Sequence, residues 1–142
     1  MKRLLLTLCL CMPMAVSVHA DSSYDLSAEL KSAERLIYKE KYKKAIRKLK
    51  KAVSEEPRDA NAWNLLGYAS RKKGDLEQSS KAYQKALKID PEHKDALEYQ
   101  GELYLMQGDS EAAQGNLAKL KQLCPDGCEQ LDELTQAIAN KQ

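Results

Sequence analysis

The 142-residue chain sets 23 Lys and Arg against 21 Asp and Glu, with 43% hydrophobic and 31% charged residues, six Gly, four Pro and no Phe. A chain of this length has room for one globular domain and not for a multidomain enzyme, and so little Gly and Pro excludes a collagen-like or Gly/Pro-rich disordered polymer. The formal charge of +2 comes from Lys2 and Arg3; without them 21 basic residues face 21 acidic ones.

Residues 1–20 begin with that charged pair, continue through an apolar stretch from Leu4 to about Val18 that Pro13 interrupts, and end on Val18-His19-Ala20. This is the order of a secretory signal peptide with cleavage after Ala20; a membrane anchor needs about 20 uninterrupted apolar residues. The expectation is an exported chain, most simply in a bacterial periplasm, with residues 21–25 as a short linker. Two of the four cysteines leave with the signal. The other two, Cys124 and Cys128, then reside where disulfides persist.

From residue 26 onward the chain repeats itself. Pro57, Pro91 and Pro125 are 34 residues apart, and the same register aligns Ala45, Ser79 and Ala113, Gly67 with Gly101, and Gly74-Asp75 with Gly108-Asp109. Each unit predicts two amphipathic helices: apolar residues recur at three- and four-residue spacing, a break falls near the middle (Glu40-Lys41, Gly74-Asp75, Gly108-Asp109), and a proline follows the second helix. Small residues at 45, 67, 79, 101 and 113 let paired helices approach, while Trp63, Leu66, Tyr83, Leu87, Leu97, Tyr104, Leu117 and Leu120 are expected to fill the spaces between them. Such a unit cannot bury its own stripe, so the units stack, and the last face needs a cover with a polar outside. Residues 128–140 supply it, with Leu131, Leu134 and Ile138 on one side and Glu129, Asp132, Glu133 and Gln136 on the other.

These residues resemble the tetratricopeptide repeat family. The middle unit, residues 60–93, carries the pattern best through Trp63, Leu66-Gly67, Ala69, Gly74-Asp75, Tyr83, Ala86 and Pro91. Residues 94–127 keep Gly101, Tyr104, Gly108, Ala113 and Pro125, and residues 26–59 keep Leu36, Tyr42, Ala45, Leu49, Ala52 and Pro57 but lack the Leu-Gly pair and the central glycine. The resemblance implies an all-α fold, a right-handed solenoid of three helix-turn-helix repeats (26–59, 60–93, 94–127) plus a C-terminal capping helix and tail over 128–142. It further implies a protein–protein adaptor that binds a partner segment in a concave groove. Carried over position by position, the groove is Tyr38 with Leu30, Glu34 and Ile37 from the first unit. The second gives Asn61, Asn64, Tyr68, Arg71 and Lys72, and the third Asp95, Glu98, Glu102, Leu105 and Met106. Arg71 and Lys72 are expected to hold acidic groups, Glu98 and Glu102 basic ones. The family's carboxylate clamp for chaperone C-termini is not matched, because Leu30, Glu34, Leu65, Asp95 and Tyr99 stand at its positions.

Catalysis has no constellation to draw on. After the signal His93 is the only histidine and stands in a loop after Pro91, so a two-histidine metal site cannot be assembled, no Ser-His-Asp arrangement is marked by the sequence, and no enzyme activity or cofactor is expected. Alone in a loop, His93 reads as solvated surface. Cys124-Pro-Asp-Gly-Cys128 reads first as a disulfide stapling the cap to the array; the alternative is a thiol-redox or copper-handling pair, although redox motifs of the thioredoxin kind use Cys-x-x-Cys beside βαβ structure. Charge is graded, from 11 basic against 6 acidic residues in 26–59 to 3 against 6 in 94–127. The stretch from Lys39 to Lys51 holds eight basic residues, for which an acidic partner or anionic membrane surface suits an exported chain better than nucleic acid. An envelope protein is therefore the expected partner, and self-association through an uncovered N-terminal face is a further expectation.

Overall fold

The computed structural model describes residues 22–141. The predicted signal segment, the start of the linker and the last residue lie outside the described residues. Those residues form seven helices: α1 (Ser22–Tyr38), α2 (Tyr42–Glu55), α3 (Ala60–Lys73), α4 (Leu76–Ile89), α5 (Lys94–Gln107), α6 (Ser110–Leu123) and α7 (Glu129–Ala139). Helices α1/α2, α3/α4 and α5/α6 pack as pairs, each pair packs on the next, and α7 lies against α5 and α6. The helix breaks thus fall at the predicted places, with α1 beginning a turn before the repeat boundary.

The caps explain the boundaries. Asp59, Asp75 and Asp109 each accept a hydrogen bond from the backbone N–H three residues on, at 2.6, 3.1 and 3.0 Å, satisfying donors that the first helical turn leaves free. His93 occupies the register of Asp59 one repeat later and does the same work: its Nδ1 accepts from the Ala96 N–H at 3.3 Å while Nε2 sits 3.0 Å from Asn61 Oδ1. The expectation of a merely solvated histidine is corrected accordingly. Gly74 and Gly108 end α3 and α5 with φ of 90° and 81°, and Glu40 takes the equivalent turn after α1 with φ 53°, in the left-handed region that favours glycine.

Two apolar clusters hold the array. Ala33, Leu49, Ala62 and Leu66 belong to the first, across α1 to α4, and Leu97, Leu117, Leu120, Leu134 and Ile138 to the second, across α5 to α7. Tyr83 is fully buried, and the Ser79 hydroxyl donates to the Gly67 carbonyl at 2.9 Å, fastening α4 to α3. Trp63, Leu87 and Tyr104 are only half-buried, because each lies at the edge of its cluster. On α7, Leu134 and Ile138 are buried while Glu129, Asp132, Glu133 and Gln136 are exposed, the arrangement a terminal cover requires. Cys124 closes α6 and Cys128 precedes α7, with their Cα atoms 5.8 Å apart.

Candidate functional site

The first helix of each pair, α1, α3 and α5, lines one face of the array, and two adjoining hollows open on it. One, of about 520 Å³, lies between Leu30 and Glu34 of α1, Asn61 and Asn64 of α3, and Asp95 of α5. The other, of about 450 Å³, is walled by Tyr38, Tyr42, Tyr68 and Tyr99 with Lys72 at its edge. Glu34 and Leu65 border both, so the two form a continuous track.

Tyrosines dominate its open end. Tyr38 is 89% exposed. The Tyr68 and Tyr99 rings meet at 4.9 Å between centroids with a 55° tilt, and the Lys72 ammonium lies 5.9 Å from the Tyr68 centroid. Exposed aromatic faces with polar tips bury much area on contact and lose little entropy in doing so. Tyr42 is absent from the groove that the family resemblance implies, and Tyr99 enters the sequence reading only as a mismatch to the carboxylate clamp. A signal exists for Tyr99, which stands 34 residues after Leu65 and shares its place on the track.

Four of the predicted groove residues are drawn inward. Arg71 has a side chain only 9% exposed; it pairs with Glu102, and its guanidinium lies 5.5 and 5.7 Å from the Tyr68 and Tyr99 centroids. It is a rivet between α3 and α5, so the expectation that it holds a partner's acid is corrected. Glu98 is 2% exposed, and burial pushes its carboxyl up to about 9, helped by the charges of Glu102, Glu133 and Asp95 and opposed by Arg71. Held neutral at pH 7, Glu98 is not the anion that a basic partner needs, and Glu102 is committed to Arg71. Leu105 belongs to the C-terminal apolar cluster, whereas its neighbour Met106 is exposed. Asn64 is buried at the bottom of the first hollow, where its Oδ1 has no hydrogen-bond partner in the protein.

The remaining groove residues reach the surface. Asn61 and Lys72 are exposed, and Tyr68, Asp95 and Glu102 are half-buried. Asp95 accepts from Gln130 of α7 at 2.7 Å, which ties the cap to the end of the track. What stays open to a ligand is an aromatic wall, the Lys72 ammonium and the Asn61 amide, with the orphaned Asn64 acceptor buried beneath them. No group of three or more His, Cys, Asp or Glu side chains is gathered as a metal site among the described residues, and none of their helices is long and apolar enough to cross a membrane.

Known proteins share this design. The tetratricopeptide repeat matches residues 60–93, and a second tetratricopeptide repeat pattern matches residues 82–115. Superkiller complex protein 3 of Mus musculus is 34% identical over 80 residues, 56% of this chain and 5% of that protein, so the chain spans about one-twentieth of the length of the curated relatives it matches. The solved TPR domain of Sgt2 from Aspergillus fumigatus superimposes with a TM-score of 0.75 at 17% identity, over 82% of this chain and 76% of that one. The first TPR domain of Spaghetti (RPAP3), solved bound to an HSP90 peptide, gives a TM-score of 0.72 at 18% identity over 86% of this chain and 98% of that one.

Proposed function

We propose that this all-α solenoid of tetratricopeptide repeats is a non-catalytic interaction module of the bacterial periplasm that holds an extended segment of an envelope protein on the α1/α3/α5 face. The observation that carries the reading is the continuous track of two hollows with its tyrosine wall. The tyrosine wall offers amphipathic contact area, and the hollows are long enough together to seat an extended segment. The peptide carried by the Spaghetti domain supports the same use of the fold. Export rests on the composition of residues 1–20.

The test is a variant confined to the open part of the track. Tyr38→Ala with Lys72→Glu alters two exposed side chains and is expected to leave folding stability within about 1 kcal/mol. It should lower the amount of partner captured from envelope extract by about tenfold or more, as expected for removing an aromatic anchor and a rim charge. The control is Lys43→Glu with Arg47→Glu on α2; Lys48, by contrast, is tied to Glu29 at 2.8 Å and is unsuitable. If the control abolishes capture and the track variant does not, the basic stretch 39–51 is the contact and this reading fails.

Cys124 and Cys128 serve the module as a staple. Closing so short a loop contributes about 2 kcal/mol by chain entropy, anchoring α7 where it covers α5. Protein purified without reductant should titrate with no free thiol from this pair, and Cys124→Ser should destabilise the unreduced protein but match the reduced wild type. Two reactive thiols in the unreduced protein would instead favour the redox or copper-handling alternative.

A further inference from the structure

The opposite side of the array holds a hollow of about 570 Å³ between α2, α3 and α4, and none of its lining residues lines the track. Its base is the core itself: Val53, Leu66 and Ala82 are buried members of the N-terminal cluster. Trp63 completes the wall. Its Nε1–H donates to the Pro57 carbonyl at 3.0 Å, so the indole's one polar group is satisfied and the ring meets the hollow as hydrocarbon.

Cations surround this apolar recess. Lys50 stands on α2, while Lys81, Lys85 and Lys88 follow one another along α4 at spacings of four and three, on one side of the helix. Lys81 is paired with Glu77 at 2.6 Å, whereas among the described residues Lys50, Lys85 and Lys88 have no ion-pair partner. Among those residues no carboxylate lines the hollow. Lysine stems extend an apolar wall outward and leave the ammonium groups at the mouth.

We propose that this hollow binds a free single-chain organic anion, with its hydrocarbon chain against Trp63 and its head group among Lys50, Lys85 and Lys88. The volume falls within the few hundred to about 1,000 Å³ usual for small-ligand sites. Charge complementarity selects an anion, and the recessed apolar surface selects a chain that enters the protein; insertion into a bilayer needs apolar groups that project from the surface instead. The hollow is not a by-product of the repeat. One register later Lys119 repeats Lys85, but the positions of Lys50, Lys81 and Lys88 hold Gln84, Gly115 and Gln122, and the position of Trp63 holds the fully packed Leu97.

Trp63 is the only tryptophan in the sequence, so its emission reports on the site without a label. The full chain is titrated with dodecanoate below its micellar concentration at low ionic strength. The expected result is a saturable blue shift, and Lys85→Gln with Lys88→Gln should weaken it by about tenfold, since two exposed ion contacts are lost. Dodecyltrimethylammonium, with the same chain and the opposite charge, should be weaker by about the same factor or more. Far-UV circular dichroism establishes that each variant is folded, and Tyr38→Ala with Lys72→Glu should leave the titration unchanged, which separates this site from the track. An absent or unsaturable shift with dodecanoate, an equal response to the cationic chain, or an unaltered affinity in the folded lysine variant overturns the proposal. So does a response confined to phosphatidylglycerol vesicles, which would make the basic face a membrane contact.

Discussion

Gly67→Ala is expected to destabilise the array by about 3 kcal/mol, the upper range for overpacking a core, although the same substitution on an open helix stabilises by about 1 kcal/mol. A Cβ at position 67 would lie 2.6 Å from both Cδ1 and Cε1 of Tyr83 and 3.0 Å from its Cζ. The ring has nowhere to go. It is fully buried, its helix is fastened to α3 by the Ser79 hydroxyl on the Gly67 carbonyl, and the Tyr99 ring follows at 6.4 Å between centroids. Relief therefore requires α3 and α4 to separate in the middle of the solenoid. Gly115 supplies the control: it lies exposed within α6, and an added methyl there would meet nothing within 4 Å, so Gly115→Ala should stabilise by about 0.5–1 kcal/mol. Gly101→Ala should fall between the two, because its Cβ meets the flexible ends of Leu134 on the terminal helix, 2.6 Å away. Urea unfolding of the three variants checks the order, and a Gly67→Ala protein as stable as wild type would show that α3 and α4 are not this close.

The repeat was legible because the same contact recurs at the same register. Prolines 34 residues apart, alternating small and large residues and the Gly-Asp pairs all encode one helix-turn-helix geometry three times, and the structure places helix breaks at each. In the first unit the turn survives without its glycine: Glu40 adopts the left-handed backbone because the flanking helices are held by packing, a tertiary constraint that residue identity hides. The site was only partly legible, and the errors are systematic. Asn64 and Glu98 share one register position, Arg71 and Leu105 another, seven residues further along the helix face. Arg71 reaches Glu102 on the neighbouring first helix, Glu98 and Leu105 are buried, and Asn64 sinks to the floor of the hollow. The first unit places Leu30 and Ile37 at those two positions, so apolar residues already occupied half of the two columns. That was the available signal. A helical repeat fixes which face is inner, but the rotation that sends one edge of that face into the adjacent repeat is set by how the units stack, and a buried Arg-Glu pair or a neutral Glu reads in sequence as ordinary surface charge.

The second large effect is a pH dependence centred on Glu98. Its carboxyl has an ordinary value of 4.5 in an unfolded chain and is pushed up to about 9 in the fold, chiefly by burial. Below pH 4.5 the group is protonated in both states and contributes no slope. Between pH 4.5 and about 9 the unfolded chain has released this proton while the folded chain keeps it, so each step up in pH favours unfolding. One proton gives at most about 1.4 kcal/mol per pH unit, and relaxation and water entry around the site reduce the total, so a loss of about 2 kcal/mol between pH 5 and 8 is expected from this residue. Glu98→Gln keeps the shape and removes the proton. It should match wild type near pH 5 and exceed it by about 2 kcal/mol at pH 8, with the other titrating groups cancelling in the difference. Glu133→Gln provides the finer test, since this exposed α7 residue repels charge at Glu98 without sharing its burial: the slope should persist but end at a lower pH. Parallel stability curves for wild type and Glu98→Gln from pH 5 to 9 would mean that Glu98 is ionised inside the fold, and that a negative charge, not a neutral acid, stands between α5 and the cap.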